Sequence, residues 1–287
     1  MHKQSHFEQK EVRMTTTGLK KWLLICVTVP AVLSGCNRDE EERIMQEAED
    51  ISAEQAAMVG EMEKAQSLFF DATEQASYAS GQEEQSATDC YKVGYIEEGG
   101  DMRFSVDFGK NGCKDQFGNL RKGKLTQINR TTDKGVEMSY RLDGYQVNGY
   151  TLTGTVSVSS LKRDEKSMLS YSYKINDGKV NTPDGKSYIV NRALEFKQLE
   201  SAGSPDFKVT GGGSVINAQG VEYTSEIVAP VTYKGGCFSE GNFYPIAGAA
   251  QIDFEDGKFY TLEFGNGSCD KAANIKAGNK TLAVVLK

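Results

Sequence analysis

The chain has 287 residues, a formal net charge of −7 at pH 7 and 25% charged side chains. This acidic balance argues against a nucleic-acid role and against charge-driven binding to anionic lipid. The only histidines, His2 and His6, lie in a segment that we predict to be removed. Without them, Ser-His-Asp catalysis, Cys-His catalysis and histidine-ligated metal sites are excluded, so we expect no metal and no cofactor.

The apolar run Trp22–Leu33 ends in Leu33-Ser34-Gly35-Cys36. The run is too short to span a bilayer comfortably, and small residues before a cysteine are typical of a lipobox, the cleavage site of bacterial lipoprotein signal peptides. We predict that residues 1–35 are a signal peptide and that Cys36 carries the lipid. The alternatives are a plain secretory signal and an uncleaved anchor helix. Residues 1–13 are polar and charged, and we interpret them as a mis-assigned upstream extension.

The residues after Cys36 bear on localisation. Asn37 replaces the aspartate that retains lipoproteins in the inner membrane, which favours the outer membrane. The acidic run is similar to the signal that exports Bacteroidota lipoproteins to the cell exterior, or it is a helix start favoured by the helix dipole. We expect an outer-membrane lipoprotein on the periplasmic face or the cell surface. The acidic residues are Asp39, Glu40, Glu41 and Glu42.

The stretch from Asp39 to about Ser80 has helical periodicity, because apolar or small residues recur alternately after four and three positions. This pattern fits a coiled-coil stalk that holds the body off the membrane, or a helix packed against the body. Residues 36–88 would then comprise the lipidated cysteine, an acidic tether, an amphipathic helix and a linker. The seam residues are Ile44, Ala48, Ile51, Gln55, Met58, Met62, Ala65, Phe69, Ala72 and Ala76.

Residues 89–287 alternate with period two, as in Thr151–Val158 and Leu169–Ile175, which predicts β-strands. Glycine-containing stretches between such runs predict tight hairpins. We therefore predict a mainly β fold: a large antiparallel meander, as a twisted sheet, sandwich or half-barrel, preceded by one long N-terminal amphipathic helix. The predicted turns are Asp143-Gly144, Asn176–Lys179, Pro183–Lys186 and Glu255–Lys258.

An internal repeat lies within this β region. Phe104–Cys113 aligns without a gap on Tyr260–Cys269, with matching aromatic, acidic, Phe-Gly and cysteine positions. Paired cysteines in an oxidising compartment indicate disulfides, and each repeat has another cysteine upstream. The repeat selects one of the possible connectivities, Cys90–Cys113 with Cys237–Cys269, in hairpin units of about 90–128 and 237–286.

Two groups of side chains with carboxylate or amide oxygens are candidate sites. Asp107 and Glu263 occupy equivalent repeat positions, and paired acids hydrolyse glycosides without histidine. A carboxylate beside a Phe-Gly turn is more often solvated or bonded to that turn, so we assign no catalytic residue and expect no enzyme. The second group lacks the spacing of a calcium-binding loop. Its members are Asp253, Glu255, Asp256, Asn266 and Asp270.

Tyrosines recur along the central strands and could form a strip that binds a sugar or a peptide. Cross-strand tyrosines are commonly structural, which is the alternative. The candidate binding residues are Tyr140, Tyr145, Tyr150, Tyr171, Tyr173 and Tyr188.

Several blocks of the chain carry a family resemblance. They are Asp107–Gly109, Gly112-Cys113, Gly118–Lys124, Leu142–Tyr150, Gly154-Thr155, Asp177–Gly185, Gly220–Thr224, Gly236-Cys237, Ala247-Gly248 and Phe264–Asp270. In order and spacing they resemble a family of Bacteroidota outer-membrane lipoproteins with duplicated Asp-Phe-Gly…Cys hairpins. Members often have tryptophan near the second-half cysteine, where this chain has Phe238 and Phe243. The resemblance implies a surface or periplasmic lipoprotein and brings no catalytic residue.

These patterns favour a lipid-anchored outer-membrane or cell-surface lipoprotein that acts as a non-enzymatic binding or structural component. Its partners would be the membrane, through the lipid, and a cell-surface protein or glycan. The alternatives are a carrier of a hydrophobic ligand or lipid on a curved β-sheet and, third, a carboxylate-based glycosidase. A Phe-, Leu- and Val-lined pocket between helix and sheet would favour the carrier. Inward carboxyl groups about 5–10 Å apart would favour the glycosidase, and a flat tyrosine-rich face the binding module.

Cys36→Ala is expected to leave the chain unprocessed or soluble, because no thiol remains to accept the lipid. Metabolic labelling with an alkyne fatty acid, followed by membrane fractionation, measures this. The wild-type protein should carry the label and sediment with membranes. A variant that still takes up the label would show that another residue is lipidated.

Overall fold

One long helix and a run of antiparallel strands build the described part of the chain. The computed structural model describes residues 46–47, 50–80, 91–133, 135–199 and 205–286. The helices are α1 (Ala53–Ser80) and α2 (Gly235–Phe238). The strands are β1 (Gln46–Glu47), β2 (Lys92–Glu98), β3 (Asp101–Asp107), β4 (Cys113–Lys114), β5 (Leu120–Thr132), β6 (Gly135–Val147), β7 (Tyr150–Arg163), β8 (Leu169–Asn181), β9 (Ser187–Gln198), β10 (Phe207–Ile216), β11 (Glu222–Tyr233), β12 (Ala247–Asp253), β13 (Lys258–Phe264), β14 (Ala272–Ala277) and β15 (Lys280–Val285).

The strands form a single antiparallel meander in nearly sequential order. The path runs from β2 through β3 and β5 and then strand by strand to β15, while β4 pairs with β5 and β1 adds to β13 in parallel. Helix α1 contacts β3, β5, β6, β7, β9 and β15, so the sheet curls around it. The edge strands β2 and β15 do not pair, and the sheet stays open. The predicted mainly β meander with one preceding helix is confirmed.

The start of helix α1 is set by a capping box. The Ser52 hydroxyl accepts a hydrogen bond from the Gln55 amide at 3.1 Å, and the Gln55 side chain accepts one from the Ser52 amide at 3.0 Å. The sequence predicts helix from Asp39 onwards. This prediction is wrong for residues 46–47, whose backbone pairs with β13 instead. The remainder of 39–49 lies outside the described residues.

Helix α1 is buried on nearly all sides. The seam residues Met62, Ala65, Phe69, Ala72 and Ala76 are each at most 2% exposed. A helix that is enclosed all round belongs to a core, so the predicted packing against the body is confirmed and the free stalk is wrong. No helix in the described segments is long and apolar enough to cross a membrane. Off the seam, the buried apolar residues are Ala56, Val59, Leu68, Phe70 and Ala79.

Bulges curve the sheet at positions where the sequence predicts turns. Asp143-Gly144 lies within β6 and Asn176–Lys179 within β8, and the pairing register shifts at both places. Gly144 and Asp177 adopt φ values of 61° and 49°. An extra residue bends a strand and increases its twist, and it needs the same positive-φ residues as a hairpin. These turn predictions are therefore wrong, whereas Pro183–Lys186 and Glu255–Lys258 do connect strands.

Gly178, in the β8 bulge, lets the helix approach the sheet closely. A Cβ atom at Gly178 would lie 2.6 Å from Phe69 Cζ and 2.5 Å from Ile175 Cγ2. Phe69 is fully buried, and Ile175 is buried beside it on the sheet. The Phe69 ring therefore occupies the space that a side chain at residue 178 would need.

The predicted disulfide between Cys237 and Cys269 is confirmed. It ties α2 to the loop between β13 and β14 across a separation of 32 residues. Closing a loop of that length restricts the unfolded chain and stabilises the fold by about 3–4 kcal/mol. Cys113 is also disulfide-bonded, whereas Cys90, its predicted partner, lies outside the described residues.

We expect Gly178→Ala to lower the free energy of unfolding by about 1–3 kcal/mol, because the added methyl group collides with Phe69 in a packed core. Gly60→Ala is the matched control, since a Cβ there meets no atom within 4 Å. This helical control should gain up to about 1 kcal/mol. Urea unfolding of both variants measures the difference, and equal stabilities would contradict the close helix–sheet contact.

Candidate functional site

A cavity of about 490 Å³ lies between the C-terminal half of α1 and the concave face of the sheet. Small-molecule sites typically measure about 300–1,000 Å³. The helix contributes Phe70, Thr73, Glu74, Ser77 and Tyr78 to the lining. Their spacing by three and four residues places them on one face of α1.

The strand side of the cavity is aromatic and aliphatic. Residues two apart on a strand share a face, so Met138 and Tyr140 of β6 both face the cavity, as do Tyr171 and Tyr173 of β8. Phenylalanines of α2 and the following loop add another part of the wall. The further apolar lining residues are Val158, Leu161, Leu169, Phe196, Phe207, Phe238 and Phe243.

Stacked rings hold the inner part of the wall in place. The Phe70 ring stacks on Tyr173 with centroids 4.6 Å apart and meets Phe196 edge-on at 5.6 Å. Tyr171 stacks on Phe196 at 4.8 Å, nearly parallel. Such pairs stabilise a fold by about 0.5–1.5 kcal/mol each beyond the area that they bury. The wall is therefore formed before any ligand arrives.

Few polar groups reach the cavity. The Ser77 and Tyr140 hydroxyls share a hydrogen bond of 3.1 Å. The Tyr173 hydroxyl is buried without a hydrogen-bond partner of suitable geometry among the described residues. The Thr73 hydroxyl is still near enough to temper the strong rise that burial causes in the pKa of Tyr173. An oxygen buried in this way retains hydrogen-bonding capacity for a ligand.

Glu74 supplies the carboxyl group that lines the cavity. Its side chain is exposed towards this space, yet the surrounding protein desolvates it. This burial, and then the nearby charge of Asp71, raise the pKa of Glu74 to about 7. The described residues give Glu74 neither a hydrogen bond nor an ion pair. Near neutral pH the cavity lining thus includes an acid whose charge the described residues compensate poorly.

A buried charge network lies next to the cavity on the same helix. Asp71 accepts two hydrogen bonds of 2.7 Å from the Arg121 guanidinium of β5, and Asp115 accepts one of 2.7 Å from its Nε. The Tyr145 hydroxyl accepts another hydrogen bond from Arg121. Burial alone lowers the pKa of Arg121, but the hydrogen bonds of Asp71 and the surrounding negative charges raise it overall. Arg121 is therefore a permanent cation.

The predicted tyrosine strip is not an exposed surface. Tyr140, Tyr171 and Tyr173 line the cavity, and most of the group faces the helix side of the sheet. The hypothesis of a flat binding face is therefore wrong, because the curl of the sheet turns this face inward. The remaining candidates, Tyr145, Tyr150 and Tyr188, pack elsewhere on that side.

The other predicted candidates lie away from the cavity. Asp107 accepts a hydrogen bond from the Gly109 amide at 2.8 Å, which is the turn-bonding alternative. Glu263 accepts one of 2.6 Å from the Lys276 ammonium group. The described segments contain no group of three or more His, Cys, Asp or Glu residues that could hold a metal. Cys36 and the acidic residues 39–42 lie outside the described residues.

Sequence reasoning missed Glu74, Asp71 and Arg121. Phe70 and Tyr78 lie off the heptad seam, two turns apart, and this spacing marks the second apolar face that contains Glu74. Arg121 has no comparable signal, because an arginine in an exposed-looking basic stretch is ordinarily solvated.

No protein-family model, curated protein or solved structure matches this chain. The function therefore has to be inferred from the curled sheet, its enclosed helix and the cavity between them.

Arg121→Met is expected to destabilise the protein by about 3–5 kcal/mol, because Asp71 and Asp115 are left buried without a countercharge. Arg103→Met is the matched control: the side chains of Arg103 and of its partner Glu98, 3.3 Å away, are 44% and 68% exposed. Loss of that pair should change stability by at most about 1 kcal/mol. Thermal unfolding of both variants measures this, and similar losses would mean that the buried network has no special role.

Proposed function

We propose that this chain is a lipid-anchored outer-membrane lipoprotein whose β domain binds an apolar ligand in the cavity between α1 and the sheet. The lipid on Cys36 would attach it to the membrane, with the body on the periplasmic face or at the cell surface. The lipobox at Leu33–Cys36 and the acidic run at residues 39–42 support this localisation, and the family resemblance agrees with it. A cell-surface protein or glycan partner remains part of the proposal.

The cavity itself is the observation that carries the binding function. Its lining is dominated by phenylalanine, tyrosine and leucine, and its volume of about 490 Å³ suits a ligand of small-molecule size. Burying apolar surface stabilises a complex by roughly 25 cal/mol per Å². A helix inside a curled sheet with an aromatic space beside it favours the hydrophobic-ligand carrier over a purely structural component.

The mouth of the cavity supports exchange of a ligand with the surroundings. Tyr78 is 49% exposed at the helix end, and Ser77, Pro205 and Ser239 are exposed lining residues. Towards the interior, the lining is buried at Tyr173. The space therefore has an accessible side and an apolar depth, which suits an elongated ligand that enters end first.

The geometry of the cavity supports the glycosidase alternative less than it supports the carrier. Asp107 and Glu263 are absent from the cavity lining, and Glu74 is the acid that lines it among the described residues. Hydrolysis of glycosides needs paired carboxyl groups on either side of one bond. One carboxyl group among the described lining residues favours binding over this chemistry.

The test is photolabelling of the full chain in membranes with an alkyl diazirine, followed by mapping of the labelled peptides. We expect label on the peptides that carry Leu161, Tyr171 and Phe238. Leu161→Trp, which places an indole in the cavity, should remove most of it by occupying the space. Lys174→Trp, on the outward face of β8, is the matched control and should leave labelling unchanged.

Label spread over the outward face of the sheet, or label in the cavity peptides that survives Leu161→Trp, would contradict a ligand-binding cavity. Unfolding of both tryptophan variants is measured in parallel, so that a loss of label is compared between equally folded proteins.

A further inference from the structure

We propose that the cavity selects a cationic apolar ligand: a molecule with an aromatic or alkyl body and a tertiary or quaternary ammonium group, with Glu74 as its countercharge. This inference rests on the proposed function and names the ligand class for the same cavity. Its basis is the position, among aromatic rings, of a carboxyl group that no other described residue pairs with.

Charge excludes the opposite class of ligand. Among the described residues, the cavity lining contains neither lysine nor arginine, and the carboxyl group in it is that of Glu74. Arg121, a buried cation beside the same helix, is already bound by Asp71 and Asp115. A fatty acid carboxylate or a phosphate would therefore enter an apolar space without a countercharge and beside a like charge, which is unfavourable.

Aromatic faces supply the second part of the recognition. Tyr78, Tyr140, Tyr171 and Tyr173 line the cavity together with Glu74. Burial raises the pKa values of the last three, and the charge of Glu74 adds to that rise. A cation over an aromatic face is attracted by the ring electrons, more strongly when water is excluded. A carboxylate within an aromatic enclosure is thus suited to an ammonium group.

Ionisation of Glu74 gives this recognition a defined pH dependence. The groups that face Glu74 are Asp71 on its own helix, Tyr140 on β6, and Tyr171 and Tyr173 on β8. The tyrosines ionise only above their ordinary pKa of 10, and Asp71 accepts two hydrogen bonds from Arg121. Glu74, with a pKa of about 7, is therefore the group that changes charge near neutrality. A cation binds the ionised form, so affinity rises as the pH increases through 7.

The test compares a cationic, a neutral and an anionic ligand on the full chain held in lipid nanodiscs. Phenyltrimethylammonium is the cationic probe, tert-butylbenzene its neutral isostere and benzenesulfonate the anionic probe. Saturation-transfer NMR and calorimetry give the dissociation constants, with empty nanodiscs as the blank. At about pH 8.5 we expect the cation to bind about tenfold more tightly than the neutral isostere. Between about pH 8.5 and 5.5 its affinity should fall about tenfold or more, while that of the isostere stays constant.

Glu74→Gln is the decisive variant, since it keeps the shape and removes the charge. We expect it to lose about tenfold in affinity for the cation, to abolish the pH dependence and to retain the neutral isostere. Glu240→Gln is the matched control: Glu240 is exposed one residue beyond the lining residue Ser239. It alters the net charge of the protein equally and should change none of the affinities. The retained isostere also shows that Glu74→Gln is folded.

Equal affinities for cation and isostere, or a preference for benzenesulfonate, would overturn the cationic specificity and leave the proposed apolar cavity intact. A cation preference that persists in Glu74→Gln would overturn the role of Glu74. If no probe binds and the diazirine labels no cavity peptide, the proposed function itself fails, and the ligand class fails with it.

Discussion

Arg121 is fully enclosed between helix and sheet, and a buried charge is tolerated only when it is paired and hydrogen-bonded. Its guanidinium meets Asp71 from the helix and Asp115 from the chain just before β5. This two-pronged contact with Asp71 has a fixed direction, unlike the apolar packing around it. The contact between Arg121 and Asp71 therefore fixes the rotation of α1 about its own axis. It also fixes the position of α1 along that axis relative to the sheet. The face that carries Glu74 points into the cavity because Asp71, three residues earlier, is held in this way.

A second acid and base of opposite charge interact about two turns nearer the start of the same helix. Burial raises the pKa of Glu63 on α1, and the charge of Arg192 on β9 opposes that rise. Burial likewise lowers the pKa of Arg192, and Glu63 opposes this in turn. The side-chain amide of Gln66 donates a hydrogen bond of 3.3 Å to Glu63. The enclosed helix thus carries a second buried acid, whose charge interacts with that of Arg192 across the helix–sheet contact.

Much of the fold could be predicted from sequence because it depends on local pattern. Period-two alternation predicts the strands, the gapless repeat predicts Cys237–Cys269, and the seam predicts that Phe69 is buried. The curl could not be predicted, since Gly144 and Asp177 supply positive φ equally well to a hairpin and to a bulge. The cavity depends on that curl: Tyr171 and Tyr173 would form an exposed strip on a flat sheet. Glu74 was overlooked for the same reason, because an acid on a helix is taken as solvated until the surrounding wall is known.

The Cys237–Cys269 bond has a consequence for where the protein can work. Cys237 precedes Phe238, a residue of the cavity wall, and Phe238 stacks on Phe243 with centroids 5.6 Å apart. The helix α2 is too short for its own hydrogen bonds to fix its position. The disulfide to the β13–β14 loop therefore keeps Phe238 in place in the cavity wall. Reduction would release the wall while leaving the strands paired. The sheet would then persist while Phe238 lost its fixed position in the cavity lining, so that the shape of the cavity is coupled to an oxidising environment.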